Sequence, residues 1–436
     1  MKRVKRRAAA AALIALLLIG GITAYVVRFA LHGGEWVLFP ANGSIYENGV
    51  LTVGTLTDRN GTVLAYSKDG ERLYSDDAAL RTACLHAVGD FQGNIGTGAV
   101  TAFADRLVGY SPLTGTAGNT VLALTIDSSL CTAAYDALAG RKGAVLVMDY
   151  TTGEILCMVS TPSYDPLAGF DEADSAYEGA YINRCISSVY APGSVFKLVT
   201  LAAAVENMDD LYERTFTCIG SRDINGIAVN CTGVHGAQTI EQALANSCNC
   251  AFAEISLELG SEALAKTAEK LGLCEDLRIN GVPTRAGSFD KAASGSADLA
   301  WSGIGQYTDL VCPYAMLRVC AAIANGGTVR EGTLIRGEKG ASTALLSEKT
   351  AQALSDMMSY DVVYSYGSGN FPGLALCAKS GTAELGDGRS NSWFAGFLND
   401  AAHPYAFCVM IEGGGSGLRN AGAVANSVLQ KAVGNN

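Results

Sequence analysis

A chain of 436 residues in which 49% are apolar, with 51 glycines, only 9 prolines and no Gly-X-Y or Ser/Gly repeat, is globular rather than fibrous or low-complexity. The length exceeds what one ordinary core takes, so a large domain with a smaller companion is expected. Five of the 31 basic residues lie in the first seven positions, which leaves 26 basic against 42 acidic residues and a net charge of −16 on the rest, so nucleic acid and other polyanions are excluded as natural partners.

After the basic tail of residues 1–7, Ala8 to Val27 run for 20 residues without a charge and end at Arg28. A helix of that length, at about 1.5 Å per residue, crosses a hydrocarbon core of roughly 30 Å. The stretch is long for a signal-peptide core of about 7 to 15 residues and shows no clear A-x-A site, which favours an uncleaved single-pass anchor over residues 8–30. The positive-inside bias keeps the tail cytoplasmic and the remainder extracytoplasmic.

Residues 31–118 alternate short β-prone pieces with Gly/Asn/Asp turns, as in "ENGVLTVGTLTDRNGTVLAYS", where Asn60-Gly61 marks a hairpin. This predicts a small β-rich pedestal on the membrane. "SPLTGTAGNT" then marks a boundary, with a second domain over 119–436. In it, "GAVLVMDYTTGEILCMVS" predicts a hairpin buried on both faces. Helices are expected over 194–206, 239–247 (Thr239 and Gln242 as a capping box), 251–259 and 261–271. "NSWFAGF" and "PYAFCVMIEG" return as strands and "NAGAVANSVLQKAV" closes as a helix. Strands at both ends with helices between them predict an α+β domain whose antiparallel sheet is assembled from distant segments and flanked by helices.

Ser194 and Lys197 stand three residues apart after Pro192-Gly193, at the head of an apolar run. A helix start points N–H groups at the serine oxygen, and a lysine buried in such a helix is pushed toward its neutral, proton-accepting form. Alone, the pair is outweighed by an N-cap beside a snorkelling lysine. Two further stretches support the chemical reading: Ser247-Cys248-Asn249, and Lys379-Ser380-Gly381-Thr382 in an expected edge strand, whose glycine admits close approach of another backbone or a ligand. Together they hold what acyl transfer requires: a nucleophile, a second hydroxyl and an amide, a cation, and N–H groups for an oxyanion.

Ser-x-x-Lys, Ser-x-Asn and Lys-Ser/Thr-Gly in that order, spaced by 53 and then 132 residues, resemble the motif set of the penicillin-binding proteins and serine β-lactamases. "LTDRNGTVLA" and the anchor resemble the class B penicillin-binding proteins, and the likeness covers about residues 50–430. The resemblance implies a D,D-transpeptidase that cross-links peptidoglycan stem peptides through a Ser194 acyl-enzyme and is inhibited by β-lactams. It implies Lys197 as base, Ser247 as proton relay, Asn249 on the donor's amide and Lys379 as an electrostatic support. Ser380 and Thr382 would grip the terminal carboxylate, with Gly381 between them, and the N–H groups of Ser194 and Thr382 would form the oxyanion hole. No cofactor is implied, and a membrane glycan polymerase is the expected partner. Cys248 and Ser380 depart from the commonest residues but keep the functional groups, and the pedestal is short for the class.

Competing readings are weaker. No Glu-x-x-Leu-Asn stretch follows Ser247, as a class A β-lactamase requires, and the residues before the boundary are too few for a glycosyltransferase domain. A D,D-carboxypeptidase, or a silent membrane-anchored β-lactam sensor or scaffold, stays open. The 13 cysteines are scattered. Cys248-Asn-Cys250 shows no matching His or Cys, so no metal site is expected, and a Cys218–Cys231 disulfide is left open. His235 reads as a turn or packing residue, Trp301 and Trp393 as core or groove wall, and Asp127 and Asp165 as caps.

Overall fold

The computed structural model describes residues 1–39, 41–43, 45–111 and 120–434. Helix α1 (Lys2–Val37) runs 36 residues, about 54 Å at 1.5 Å per residue, beyond the expected anchor end at residue 30. It is long and apolar enough to cross a membrane, its apolar window is wholly unburied, and it fits a membrane anchor. At its far end Phe29 meets the Tyr110 ring edge-on, with centroids 6.3 Å apart.

The next segment contributes β1 (Thr55–Thr57), β2 (Val63–Lys68), β3 (Glu71–Tyr74), α2 (Ala78–Val88) and β4 (Val121–Ala123). The sheet order is β3-β2-β1-β4, with β4 parallel to β1 and the other pairs antiparallel. The expected Asn60-Gly61 turn joins β1 to β2, and buried Asp58 organises it. One Asp58 oxygen accepts the N–H groups of Asn60 and Thr62, both at 2.8 Å; the other accepts the Ser128 hydroxyl at 2.7 Å, at the start of α3 (Ser128–Leu138). Helices share the segment with the strands: α2, capped by Asp77, packs on α3. Arg81 of α2 donates twice to Asp165 at 2.8 and 2.6 Å, a bidentate tie to the following domain. The boundary expected in residues 111–120 falls on residues 112–119, outside the described residues.

Strands β5 (Gly143–Asp149) and β6 (Ile155–Thr161) form the predicted hairpin, and every residue but Asp149 is buried, as a strand covered on both faces must be. The chain then passes through α4 (Lys197–Asn207), α5 (Ile240–Ala245), α6 (Asn249–Lys270), α7 (Pro313–Ala324) and α8 (Glu348–Asp361). It returns as β7 (Leu376–Glu384), β8 (Ser390–Leu398), β9 (Tyr405–Ile411) and α9 (Gly422–Ala432). The five strands order as β7-β8-β9-β5-β6, all antiparallel; β9 pairs with β5 from Tyr405 opposite Asp149 to Ile411 opposite Gly143. Distant segments thus build one sheet, as predicted, with β7 at its edge. Helix α6 is broken at Gly260 (φ 76°, ψ 161°), the point that separates the two helices expected there. One buried apolar cluster runs from Leu56 through the sheet to Leu429, so the smaller segment and the α+β domain share a core.

Candidate active site

The expected helix over 194–206 begins one turn differently from the prediction. Gly193–Phe196 form a tight 3₁₀ turn that leads into α4 at Lys197, and Pro192, rather than Ser194, occupies the cap position. The turn is pressed against strand β7. Gly193 has φ 55°, and a Cβ on it would sit 2.6 Å from the Thr382 carbonyl oxygen; a Cβ on Gly381 would sit 2.8 Å from the Pro192 oxygen. Only glycines permit this approach, which sets the Ser194 turn directly beside Thr382. The Gly193 N–H donates to Gly305 at 2.8 Å and the indole of buried Trp393 donates to Ala191 at 3.0 Å, holding the turn from either side.

Lys197 is fully buried on the face of α4 that meets the start of α6. Its Nζ donates to the Ser247 carbonyl at 2.6 Å and to Asn249 Oδ1 at 2.8 Å, and lies 3.2 Å from Ser247 Oγ. Burial pushes its pKa down to about 7, helped by the nearby Lys379 charge. A neutral amine has two N–H groups and one lone pair. The carbonyl and the amide oxygen occupy the two donors, so the lone pair is left for a hydroxyl.

Ser247 holds its place at a cost. The predicted capping box starts α5, where Thr239 Oγ1 accepts from Gln242, and the helix ends in a Schellman motif: the Ser247 N–H donates to Leu244 and the Cys248 N–H to Ala243, both at 2.9 Å. The left-handed residue of that motif is ordinarily glycine; here it is Ser247, with φ 49°. The adjoining Asn249 fixes its amide by donating from Nδ2 to the Asn230 carbonyl at 2.8 Å.

On β7, Lys379 is fully buried and its Nζ lies 3.5 Å from Asp361 Oδ2, itself fully buried at the end of α8. Burial raises the Asp361 pKa to about 6, against the pull of Lys379. The Tyr366 hydroxyl donates to Asp361 at 2.8 Å, accepts the Ser380 N–H at 2.7 Å and lies 3.0 Å from Ser380 Oγ. Thr382 is exposed, and its Oγ1 accepts the Gly417 N–H at 3.1 Å.

A cleft of about 330 Å³ is lined by five of the eight predicted residues, Ser194, Ser247, Asn249, Ser380 and Thr382, with Lys197 and Lys379 buried behind it. Thr232, Ile304, Gln306 and Glu384 complete the lining, and they, with Asp361 and Tyr366, escaped the sequence reading. Asp361 carried one usable signal, an acid closing a helix whose preceding buried positions are Leu354, Met357 and Met358. The other missed residues carried none.

The expectation that Cys248 lacks partners is overturned. Short strands and loops bring Cys218, Cys231 and His235 to it, with all four ligand atoms within 4.8 Å of one another; every cysteine, Cys218 and Cys231 included, is a free thiol. His235, expected as a turn or packing residue, places its Nδ1 3.6 Å from Cys231 Sγ. Asp127 caps α3 as expected.

The penicillin binding protein transpeptidase domain model matches residues 143–433. Peptidoglycan D,D-transpeptidase PbpA of Mycolicibacterium smegmatis is 29% identical over 369 residues, covering 76% of this chain and 74% of that protein. Peptidoglycan D,D-transpeptidase FtsI of Escherichia coli K12 is 27% identical, covering 72% and 55%. Among solved structures, the D,D-transpeptidase domain of a peptidoglycan glycosyltransferase from Eggerthella lenta superposes with a TM-score of 0.72 at 30% identity, over 87% of this chain and 98% of that one. The ceftriaxone acyl-enzyme of penicillin-binding protein A from M. tuberculosis shares the fold, with a TM-score of 0.74 at 24% identity over 87% and 98%.

Proposed function

The chain belongs to the penicillin-binding protein transpeptidase family, and on that premise we propose that Ser194 is the nucleophile through which it cross-links peptidoglycan, with Lys197 as its base. The protein is a serine D,D-transpeptidase of cell-wall synthesis, open to covalent inhibition by β-lactams. The observation that carries the residue assignment is the pinned, desolvated Lys197 amine, whose free lone pair takes the hydroxyl proton as Ser194 Oγ attacks the carbonyl of the penultimate D-Ala.

The oxyanion that forms is received by the N–H groups of Ser194 and Thr382, which the two glycines allow to share one wall of the cleft. Ser247 passes the proton from Lys197 to the departing D-Ala amine; the 3.2 Å approach of its Oγ to Nζ supports this relay. Asn249 contacts the donor's amide backbone. Ser380 and Thr382 hydroxyls hold the terminal carboxylate, while buried Lys379, balanced by Asp361, supplies positive potential beneath them. An amine from a neighbouring stem then attacks the Ser194 ester, forms the cross-link and returns the serine.

α1 anchors the domain with its basic tail in the cytoplasm and the cleft outside, an orientation supported by the five basic residues ahead of the apolar stretch. A membrane glycan polymerase supplies the strands to be joined. Incubation with a stem mimic ending in D-Ala-D-Ala, with and without an acceptor amine, tests the reaction. Cross-linked product that depends on the amine is expected; release of D-Ala alone, unaffected by amine, would make the protein a carboxypeptidase, and no turnover of either kind would make it a scaffold.

A further inference from the structure

We propose that Cys218, Cys231, His235 and Cys248 form a zinc(II) site that ties the Ser247–Asn249 segment to the loop lobe beside the cleft. None of these four side chains takes part in the transpeptidase chemistry. Cys231 Sγ lies 3.8 Å from Cys248 Sγ and 3.6 Å from His235 Nδ1. A tetrahedral ion with Zn–S of about 2.3 Å and Zn–N of about 2.0 to 2.1 Å imposes ligand separations of about 3.8 Å between sulfurs and about 3.6 Å between sulfur and nitrogen. Two edges of the tetrahedron are therefore already at their metal-bound lengths, and the sulfurs are far outside the roughly 2.05 Å of a disulfide.

The ligands arrive from four places. Cys218 ends the strand Phe216–Cys218, Cys231 follows the strand Ile227–Asn230, His235 precedes the strand Gly236–Gln238, and Cys248 caps α6. Gly236 pairs with Cys218, and the Cys231 N–H donates to Gly220 at 2.9 Å, so backbone pairing positions the ligands without a metal. The spacing is Cys218-x12-Cys231-x3-His235-x12-Cys248, which no compact CxxC pattern reveals. The lobe buries Phe216, Ile224 and Val229 against the main core, but the loops that carry the ligands stay open: Ile219 and Val234 are 75% and 74% exposed, and Ile227 is 54% exposed. Such a segment gains from a cross-link that hydrophobic burial does not supply.

The donor set suits zinc. Three thiolates and a neutral imidazole around a dication leave one net negative charge, and binding releases the three thiol protons to solvent. The Asn249 N–H donates to Cys231 Sγ at 3.2 Å, a bond that strengthens when the sulfur is a thiolate. Cys218, whose thiol donates to the Gly233 carbonyl at 3.4 Å, gives up that bond on metallation. Since Cys248 lies between Ser247 and Asn249, the ion would hold the strained Ser247 conformation from the next residue.

The test uses the full chain in detergent, purified under reducing conditions. Elemental analysis should find about one zinc per chain, and cobalt(II) exchange should give the absorption of a tetrahedral thiolate site. His235→Ala and Cys231→Ser should each lose that stoichiometry, whereas Cys274→Ser should keep it. Stripping zinc from the wild type with a chelator should lower the Tm by several degrees, restored by zinc alone, a readout free of folding defects in variants. Fewer than about 0.1 zinc per chain after reduction and incubation with equimolar zinc would overturn the proposal. So would full zinc content in the His235→Ala/Cys231→Ser double variant, or a Cys231–Cys248 disulfide in the purified protein. Metal content is read without activity, so its failure leaves the transpeptidase reading untouched.

Discussion

The buried Lys197 amine predicts the pH dependence of acylation. Only the neutral amine can accept the Ser194 proton, and its pKa of about 7 follows first from desolvation and then from the Lys379 charge. About half of the chains are then competent at pH 7, about one in ten at pH 6 and about one in a hundred at pH 5, whereas a solvated lysine would be neutral in fewer than about one in a thousand at pH 7. The second-order constant for acylation by a fluorescent penicillin, measured by rapid quenching from pH 5 to 9, should climb about tenfold per unit below pH 6.5 and level off above about pH 8. A profile flat from pH 5 to 8, or a limb centred above about pH 9, would refute the assignment of the base. The same shift has a stability sign. With the folded value below the unfolded one, the native chain binds fewer protons between about pH 7 and 10.5, so stability rises with pH through that window. The contribution is on the order of 5 kcal/mol, and the full cost of burying the ammonium is carried below pH 7.

Ser247→Gly relieves a left-handed serine, so it should stabilise the fold by up to about 1 kcal/mol in urea melts while penicillin acylation falls at least about tenfold; a destabilised variant would contradict the strain. Asp361→Asn leaves Lys379 buried without its counter-ion and should cost roughly 3 to 5 kcal/mol by the same melts, with a loss under about 1 kcal/mol refuting the pairing. Gly193→Ala places a Cβ 2.6 Å from the Thr382 carbonyl at a positive φ, which should separate the turn from β7 and slow acylation by at least about tenfold; acylation at the wild-type rate would show that the approach is not needed.

Much of this was legible in the residues. The unbroken apolar runs of β5 and β6 announce a strand pair covered on both faces, and Thr239 with Gln242 announces a helix start, because both signals are local. The three motifs became a site only through order and spacing, and the cleft does gather Ser194, Ser247, Asn249, Ser380 and Thr382. What stayed hidden depends on contacts across the fold. Asp361 reaches Lys379 of β7 across two short helical turns, and Cys218, Cys231 and His235 converge on Cys248 through backbone pairing that periodicity does not encode. The 3₁₀ turn at Ser194 was also hidden, because its cause is the close approach of Gly193 to a strand nearly 190 residues later.

The most direct measurement of the central claim is peptide mapping by mass spectrometry after incubating the full chain with a penicillin. A single penicilloyl adduct on the peptide containing Ser194, lost in Ser194→Ala, is the predicted result; no adduct on the folded wild type, or an adduct that persists in Ser194→Ala, would contradict the account.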